Sequence, residues 1–377
     1  MRNFRRVAAV GGGGALLLGG GLVAFKQTNR SKLGEYQALP LRGRLAIVTG
    51  ASSGIGKEVA AQLAGKGCDV ILACRSVGRG EAACAEIRAA AGSSSVSAGS
   101  GAGGRLEVRQ LDVSSRASID AFATGLAGRG PIHVLVHNAG DLNHTERRST
   151  DGVELTLATN YLGPLLITQR LLQQLEQGCN SDGGGRRSRV VLVGSRLEKM
   201  ANAPLRLDLL EAQGQTRAAA DAVEGGNSAA AAAARRYDPL GSYSDSKLCL
   251  MLWSRTLGGL TKPEAGGPLV VAVTPGMVHT GLFDDYPAWY KWLTFPARAT
   301  ALRSAGEAAT GVVYCADAAR LEEPAEIAKH SGGGLVPYLY DGVEIECSEQ
   351  AADLALSEAL CVATSRLLAF APADTSS

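Results

Sequence analysis

The chain has 377 residues, and its 46% of hydrophobic residues can fill the core of one large α/β domain or of two smaller ones. Its 38 basic and 36 acidic side chains give a formal net charge of +2, and no basic run is interleaved with aromatic residues, which excludes a typical nucleic-acid-binding protein. The eight cysteines form no Cys-x-x-Cys pair and lie mostly in apolar segments, so we expect reduced thiols in a reducing compartment.

Residues 1–42 contain an uncharged apolar run, Val7 to Phe25, between two basic clusters. At about 1.5 Å per residue, a helix over this run just spans a bilayer core, although its seven glycines weaken helix propensity. We therefore predict a membrane anchor in the endoplasmic reticulum or another organelle membrane, with the remaining chain on the reducing side. A cleaved signal peptide, or a transit peptide for a plastid or mitochondrion, is the alternative.

From Arg44 onward, short β-branched runs alternate with helical segments. Such repeated βαβ units predict an α/β fold, a Rossmann-like doubly wound parallel sheet with helices on both faces. One domain accounts for residues 43–371, followed by a short tail at 372–377. The predicted strands are 45–48, 69–74, 106–111, 132–136, 190–193 and 269–273, and the predicted helices between them include 80–90, 117–126 and 152–177.

Three segments interrupt this alternation, at residues 92–104, 178–188 and 213–236. Their bias toward Gly, Ser and Ala predicts low-complexity surface insertions. The first insertion contains Gly99 to Gly104, a formal match to Gly-x-Gly-x-x-Gly. A serine-rich tract precedes it instead of a strand, so we interpret it as a false match.

The stretch Thr49–Gly56, the glycine turn, follows the first strand and leads into a helix. Its three glycines permit a tight turn and leave no Cβ between the backbone and a pyrophosphate. The N-terminus of the following helix attracts anions, so the stretch predicts a dinucleotide site. The candidate binding residues are Gly50, Ser52, Ser53, Gly54, Ile55 and Gly56.

The adenosine end of such a dinucleotide is normally read by an acidic residue about 20 positions beyond the turn. Arg75 stands there instead, between Cys74 and Ser76. No carboxylate would repel a 2′-phosphate, and a guanidinium can pair with one through planar, charge-assisted hydrogen bonds. We therefore expect NADP(H) in preference to NAD(H).

Tyr243 and Lys247 are four residues apart at the start of a helical run, so they share one helix face. A phenol titrates at about pH 10, and a neighbouring cation would let it pass a proton at neutral pH. The order of motifs along the chain strengthens this interpretation. After the glycine turn come Asn138-Ala139-Gly140 at the end of the fourth strand, then Asn160, then Ser195 after the fifth strand.

This ordered set resembles the short-chain dehydrogenase/reductase family, and Ala73-Cys74-Arg75 with Asp151-Gly152-Val153-Glu154 resembles its retinol dehydrogenase branch. The resemblance implies that Tyr243 is the acid/base and that Lys247 lowers its pKa and holds the nicotinamide ribose. It implies that Ser195 hydrogen-bonds the substrate oxygen and that Asn160 holds a proton-relay water. The 48 positions from Ser195 to Tyr243 exceed the compact family layout, because the third insertion lies between them.

The resemblance also implies further cofactor contacts, beside the adenine ring, along the strand ends and at the carboxamide and pyrophosphate. These contacts are Asp112, Val113, Asn138, Ala139, Gly140, Pro275, Gly276, Val278 and Thr280. His137 stands where the family usually has Asn, and we interpret it as a hydrogen-bonded structural histidine. The histidines show no metal-ligand spacing, so no metal is expected.

A dense aromatic cluster at residues 283–295 resembles the family's substrate-covering segment and suits a membrane interface. We predict an NADP-dependent oxidoreductase that moves hydride between the nicotinamide and an alcohol or carbonyl group of a lipophilic substrate, of the retinoid, steroid or lipid aldehyde class. A homodimer is compatible with the resemblance.

Two alternatives stay open at this point. Tyr243 to Leu252 and Thr280 to Phe283 also resemble light-dependent protochlorophyllide reductase, but that family has a cysteine where His137 stands. The other alternative is a non-catalytic NADP-binding scaffold, whose usual mark is the loss of the tyrosine, lysine or serine. None of the three is lost in this sequence.

Overall fold

A computed structural model gives the fold of the chain for residues 33–91, 103–179, 181, 186–205, 207, 237–278, 302–330 and 336–370. The strands in this part of the chain are β1 (Leu45–Thr49), β2 (Asp69–Cys74), β3 (Leu106–Gln110), β4 (Val134–His137), β5 (Arg189–Val193), β6 (Leu269–Val273), β7 (Tyr338–Tyr340) and β8 (Val343–Glu344). They form one sheet in the order β3-β2-β1-β4-β5-β6-β7-β8. Every neighbouring pair is parallel except β7 with β8.

Helices follow most strands of the sheet. The α-helices are α1 (Gly54–Gly65), α2 (Val77–Ala91), α3 (Arg116–Thr124), α4 (Leu155–Leu157), α5 (Gly163–Gly178), α6 (Pro239–Thr261), α7 (Ala305–Asp317), α8 (Pro324–Lys329), α9 (Glu349–Ala352) and α10 (Leu354–Phe370). A π-helical turn at Ala158–Leu162 joins α4 to α5, and a 3₁₀ turn at Arg196–Met200 follows β5.

The central strands are buried on both faces, which is typical of parallel sheets covered by helices. Ile47 and Val48 illustrate the alternation, since both are fully buried but belong to different apolar clusters. The Ile47 cluster includes side chains from α3, α5, α6 and α10, and the Val48 cluster includes side chains from α1, α2 and α7. The strands are therefore near-continuous runs of Val, Ile and Leu. Their side chains pack against helices on both faces of the sheet, as predicted for a doubly wound sheet.

The strand order places the crevice of the sheet between β1 and β4. From β1 the chain moves outward through β2 to β3, and it returns to the other side of β1 with β4. Ligands of doubly wound sheets bind at such a switch point, beyond the carboxyl ends of the strands. Both the glycine turn after β1 and the Asn138-Ala139-Gly140 segment after β4 lie at this edge.

The six predicted strands are confirmed, although β4 begins two residues later and ends one residue later than predicted, and two short strands were not foreseen. The helix predicted over 152–177 begins at Leu155 instead and contains the π-helical turn. The carboxylate of Glu154 caps its start by accepting hydrogen bonds from the N–H groups of Thr156 and Leu157, at 2.9 and 2.8 Å. Strands of three and two residues are too short for a periodicity signal.

Gly104 supports the interpretation of Gly99–Gly104 as a false match. Its N–H donates to the carbonyl of Ala64 at 2.9 Å, and its backbone lies against Cys68 and Asp69. Asp69 begins β2, so Gly104 lies at the amino end of the sheet. The dinucleotide turn lies at the opposite, carboxyl end.

Several predicted features fall outside the described residues: the apolar run at 7–25, the insertion at 213–236, the aromatic cluster at 283–295, and Thr280. Among the described helices, none combines the length and the apolar character needed to cross a bilayer. Residues from 33 onward already contact the domain, since the Tyr36 hydroxyl donates to the Asp317 carboxylate at 2.7 Å. All eight cysteines are free thiols, and each is buried or half-buried.

Candidate active site

The glycine turn is held in place by contact with the end of β4. Gly50 and Gly54 adopt φ values of +66° and +56°, which L side chains rarely adopt. A Cβ on Gly56 would lie 2.4 Å from Nδ2 of Asn138, and a Cβ on Gly50 would lie 2.9 Å from Cα of Ala139. The turn therefore needs glycine at these positions, for its backbone angles and for its close approach to the next strand.

Thr49 and Asn138 connect the two strand ends through hydrogen bonds. The Thr49 hydroxyl accepts from the backbone N–H groups of Asn138 and Ala139, both at 3.0 Å. The side-chain amide of Asn138 donates to the carbonyl of Thr49 at 3.0 Å. The predicted bracing role of Asn138 is visible in these contacts.

The start of α1 fits a diphosphate group. Ser53 is the N-cap residue, yet its side chain makes no capping hydrogen bond. The Ser53 side chain therefore does not occupy the first N–H groups of the helix, which with the positive end of its dipole can bind an anion. Ser52 and Ile55 are half-buried beside them, and Ser53 is exposed. These residues suit an anion that approaches from the crevice.

The adenosine side of the crevice carries cations and one carboxylate. Arg75 directly follows β2 with its side chain exposed, and it forms no ion pair with any described residue. Arg79 lies one helical turn further on, where its backbone N–H donates to the Ser76 hydroxyl at 3.4 Å. Sequence reasoning missed Arg79, although its i,i+4 spacing from Arg75 was a usable signal.

Asp112 lies at the end of β3, as predicted, and its orientation is fixed locally. Its Oδ1 accepts from the backbone N–H and the hydroxyl of Ser114, at 2.9 and 2.7 Å. Val113 is buried, and its carbonyl would lie 2.3 Å from a Cβ on Gly163. This contact fixes the end of β3 against the start of α5.

Ser195, Tyr243 and Lys247, the serine–tyrosine–lysine cluster, come together where β5 ends and α6 begins. The Ser195 side chain lies close enough to the Tyr243 phenol to lower its pKa. The Lys247 ammonium donates to the carbonyl of Val193 at 2.9 Å and lies 5.7 Å from the centroid of the Tyr243 ring. The long separation of Ser195 and Tyr243 in sequence has not kept them apart.

Burial dominates the electrostatics of this cluster. Loss of hydration raises the pKa of Tyr243 to about 12, and the Ser195 side chain acts in the opposite direction. Burial also lowers the pKa of Lys247 to about 8. In the protein alone, Ser195 acts to lower the pKa of Tyr243. The effect of Lys247 on this pKa stays a prediction. At neutral pH the phenol is therefore protonated and can donate a proton.

Asn160 lies in the π-helical turn and supports the cluster from the side. Its Oδ1 accepts from the backbone N–H of Asp141 at 2.8 Å, and its Nδ2 donates to the Ser246 hydroxyl at 3.0 Å. Ser246 in turn donates to the carbonyl of Tyr243 at 2.7 Å. A π-turn often marks a functional site, and this one connects Asn160 to α6. Ser246 was not identified from the sequence.

The loop after β6 contains Pro275, Gly276 and Val278, and Gly276 adopts φ +78°. Arg303 braces this loop by donating to the carbonyl of Pro275 at 3.2 Å. The same guanidinium forms a buried ion pair with Asp341 at 2.7 Å. No local sequence motif predicted this ion pair, because its two residues are 38 positions apart.

His137 is buried and neutral. Its Nε2 lies 2.8 Å from the Thr168 hydroxyl, which donates to the carbonyl of Pro164. That hydroxyl must therefore accept from His137, which places the imidazole proton on Nε2. Burial lowers the pKa of His137 to about 3, so this histidine carries no charge at neutral pH. Nε2 is hydrogen-bonded as predicted, whereas the buried Nδ1 has no partner among the described residues.

Gly56→Ala tests the close approach of the turn to β4. The new Cβ would lie 2.4 Å from Nδ2 of Asn138 and 2.6 Å from the carbonyl oxygen of Gly50. We expect at least a tenfold loss of NADPH affinity, measured by fluorescence titration, and destabilisation of about 2 kcal/mol. Gly65→Ala, in the same helix but with no atom within 4 Å of the new Cβ, is the control and should bind normally. Equal affinity in both variants would contradict this role of Gly56.

Lys247→Met tests the electrostatic cost of burying the ammonium group. Burial lowers the pKa of Lys247 from 10.5 to about 8, so between these values the unfolded chain binds more protons than the folded chain. The contribution of Lys247 to stability is therefore least favourable below the folded pKa, and it improves as pH rises through the window. The full difference corresponds to about 3 kcal/mol.

Urea unfolding without cofactor, from about pH 7 to about pH 9.5, checks this expectation. The free energy of unfolding of the wild type should rise relative to that of Lys247→Met as the pH increases. A difference between the two proteins that does not change with pH would show that burial does not perturb the lysine.

Known proteins resemble this chain in sequence and in fold. A family model described as short chain dehydrogenase matches residues 44–205. Dehydrogenase/reductase SDR family member 13 of Bos taurus is 35% identical over 278 residues, which cover 73% of this chain and 63% of that protein. Retinol dehydrogenase 11 of Mus musculus is 32% identical over 277 residues, which cover 73% of this chain and 74% of that protein. The match thus spans less than two thirds of the bovine relative.

Polyprenol dehydrogenase of Mus musculus is 31% identical over 312 residues, which cover 80% of each chain. A crystal structure of an uncharacterized protein from Mycobacterium paratuberculosis superposes with a TM-score of 0.58 at 25% identity, over 87% of this chain and 95% of that one. With the glycine turn and the serine–tyrosine–lysine cluster in one crevice, these similarities show that the chain belongs to the short-chain dehydrogenase/reductase family, close to its retinol dehydrogenase branch.

Proposed function

We propose that this protein is an NADPH-dependent reductase that converts a carbonyl group of a lipophilic substrate into an alcohol. The observation that carries the proposal is the position of the Ser195 side chain next to the Tyr243 phenol, with the buried ammonium of Lys247 beside that phenol. A hydroxyl and a phenol that meet at the crevice can hold one substrate oxygen between them. The intact cluster also argues against a scaffold without catalysis.

The reaction needs a hydride and a proton. A nicotinamide dinucleotide held by the glycine turn and the ends of β1 and β4 would supply the hydride. Ser195 orients the carbonyl oxygen, and the Tyr243 phenol donates its proton to that oxygen as negative charge develops. Lys247, held by the carbonyl of Val193, places a positive charge beside the phenolate that forms, and Asn160 keeps the adjoining segment in register.

The protonation state of Tyr243 supports the reductive direction of the reaction. Reduction needs a protonated phenol, and burial keeps the pKa of Tyr243 at about 12 within the protein alone. Oxidation needs a phenolate, which burial disfavours. The site is therefore better prepared for reduction at neutral pH, and NADPH is the matching donor.

Arg75 and Arg79 support the preference for NADPH. Arg75 is exposed at the end of β2, with no ion pair to another described residue, and can pair with a 2′-phosphate. Arg79, one turn along α2, adds a second positive charge on the same side. The end of β2 has no carboxylate that would bind a ribose hydroxyl and repel a phosphate.

The lipophilic substrate class is supported by relatives whose names specify retinol and polyprenol dehydrogenases. The predicted aromatic cluster at 283–295 and the predicted anchor at 7–25 agree with it, because both suit a substrate that arrives from a membrane. We propose attachment through the N-terminal segment to the endoplasmic reticulum or another organelle membrane. Retinoid, steroid and lipid aldehydes or ketones are the substrates to test first.

Tyr243→Phe tests the proton donor directly. We expect NADPH-dependent turnover of retinal and of aliphatic aldehydes to fall about 100-fold to 10,000-fold, because the phenol supplies the proton in the transition state. NADPH affinity should change little. Tyr314→Phe, on the opposite face of the sheet, is the control and should retain turnover. Normal turnover by Tyr243→Phe would exclude Tyr243 as the acid.

Arg75→Asp tests whether Arg75 recognises the 2′-phosphate of NADPH. A carboxylate at this position should repel the phosphate and accept a ribose hydroxyl, so kcat/KM for NADPH should fall at least tenfold relative to NADH. Arg88→Asp, in the same helix but at its far end, serves as the charge-matched control and should leave the preference unchanged. If both variants keep the wild-type preference, Arg75 does not contact the phosphate.

A further inference from the structure

A second cluster of reactive side chains lies outside the active site, at the edge of the sheet. Glu326 and His330 lie four residues apart at the end of α8, and Glu344 lies on β8. One potential ligand atom from each residue lies within 4.8 Å of the other two. Glu326, His330 and Glu344 are called the edge cluster below.

One pair of atoms in the edge cluster is spaced as two ligands of the same metal ion are. Nε2 of His330 and Oε1 of Glu344 are 3.7 Å apart, which is longer than a hydrogen bond. Two ligand atoms that each lie about 2.1 Å from an ion are separated by about 3.4 to 3.7 Å when they subtend a tetrahedral to trigonal angle. The two side chains therefore leave the space that an ion between them would take.

The surroundings of the cluster are partly apolar. The side chain of His330 is only 9% exposed, so its ring is held in place. His330 and Glu326 both line a cleft whose other walls include Pro263, Leu269 and Val336. Apolar walls weaken solvent screening, so two carboxylates attract a cation more strongly than they would on an open surface.

Lys329 shows that this position already attracts positive charge. Its ammonium bonds to Oε2 of Glu344, which leaves Oε1 facing His330. The lysine side chain is 53% exposed and can turn into solvent at small cost, since exposed ion pairs contribute little.

We propose that the edge cluster binds a divalent transition-metal ion, with Zn²⁺ as the representative ion, through Nε2 of His330 and one carboxylate oxygen each of Glu326 and Glu344. Imidazole combined with carboxylate suits Zn²⁺ and its first-row neighbours, whereas Mg²⁺ and Ca²⁺ prefer oxygen ligands alone. The sequence analysis expected no metal because the histidines have no metal-ligand spacing. The third proposed ligand, Glu344, comes from a strand in another part of the chain, so no local motif contains all three ligands. A bound ion would join β8 to α8.

Titration of the metal-free full chain with Co²⁺ and then Zn²⁺ tests the proposal. Wild-type protein should show a Co²⁺ d–d spectrum without a thiolate charge-transfer band, which separates this site from cysteine-bound metal. His330→Ala and Glu344→Gln should each weaken binding about tenfold or more. Glu323→Gln, at the exposed start of α8 and outside the cluster, should bind as the wild type does. Circular dichroism in chelator confirms that each variant is folded.

Lys329→Ala distinguishes metal binding from a purely structural role of the edge cluster. Removing the competing cation should strengthen Zn²⁺ binding several-fold and enlarge the rise in melting temperature that Zn²⁺ causes. The proposal is overturned if the wild type and His330→Ala bind the metals equally, or if Zn²⁺ does not raise the melting temperature of the wild type. Neither result would bear on the reductase, whose residues lie elsewhere.

Discussion

The contact between the glycine turn and the end of β4 is the constraint on which the rest of the site depends. The backbones of Gly50 and Gly56 approach Ala139 and Asn138 so closely that a Cβ would lie 2.9 Å or less from a neighbouring atom. The Thr49 hydroxyl secures the same junction by accepting two backbone hydrogen bonds. Because β1 and β4 are neighbours at the switch point of the sheet, this junction defines the floor of the crevice.

Burial of ionisable groups then determines the chemistry that the crevice supports. Tyr243 and Lys247 are both almost fully buried, and each is shifted toward its neutral form. Ser195 and the carbonyl of Val193 provide the polar contacts that make this burial tolerable. A phenol that keeps its proton at neutral pH is suited to donate it, which is why we propose reduction instead of oxidation.

The edge of the sheet formed by β7 and β8 lies next to an ion pair that holds the loop after β6. Arg303 and Asp341 form a buried ion pair that holds the loop after β6, and such a pair is costly to break from one side. The short strands β7 and β8 extend the sheet beyond this pair and carry Glu344 to the end of α8. No strand was predicted in the region that contains Arg303, Asp341 and Glu344. This region nevertheless holds the loop after β6 and forms the proposed metal site.

The sequence by itself determined the six central strands, the glycine turn and the order of Asn138, Asn160, Ser195, Tyr243 and Lys247, because local periodicity and short motifs encode them. Only the tertiary structure revealed that Ser246 connects Asn160 to α6, that Arg303 pairs with Asp341, and that Glu344 meets His330. It also showed that burial raises the pKa of Tyr243 in the protein alone. These features depend on desolvation and on contacts between distant segments, and neither leaves a pattern in the local sequence.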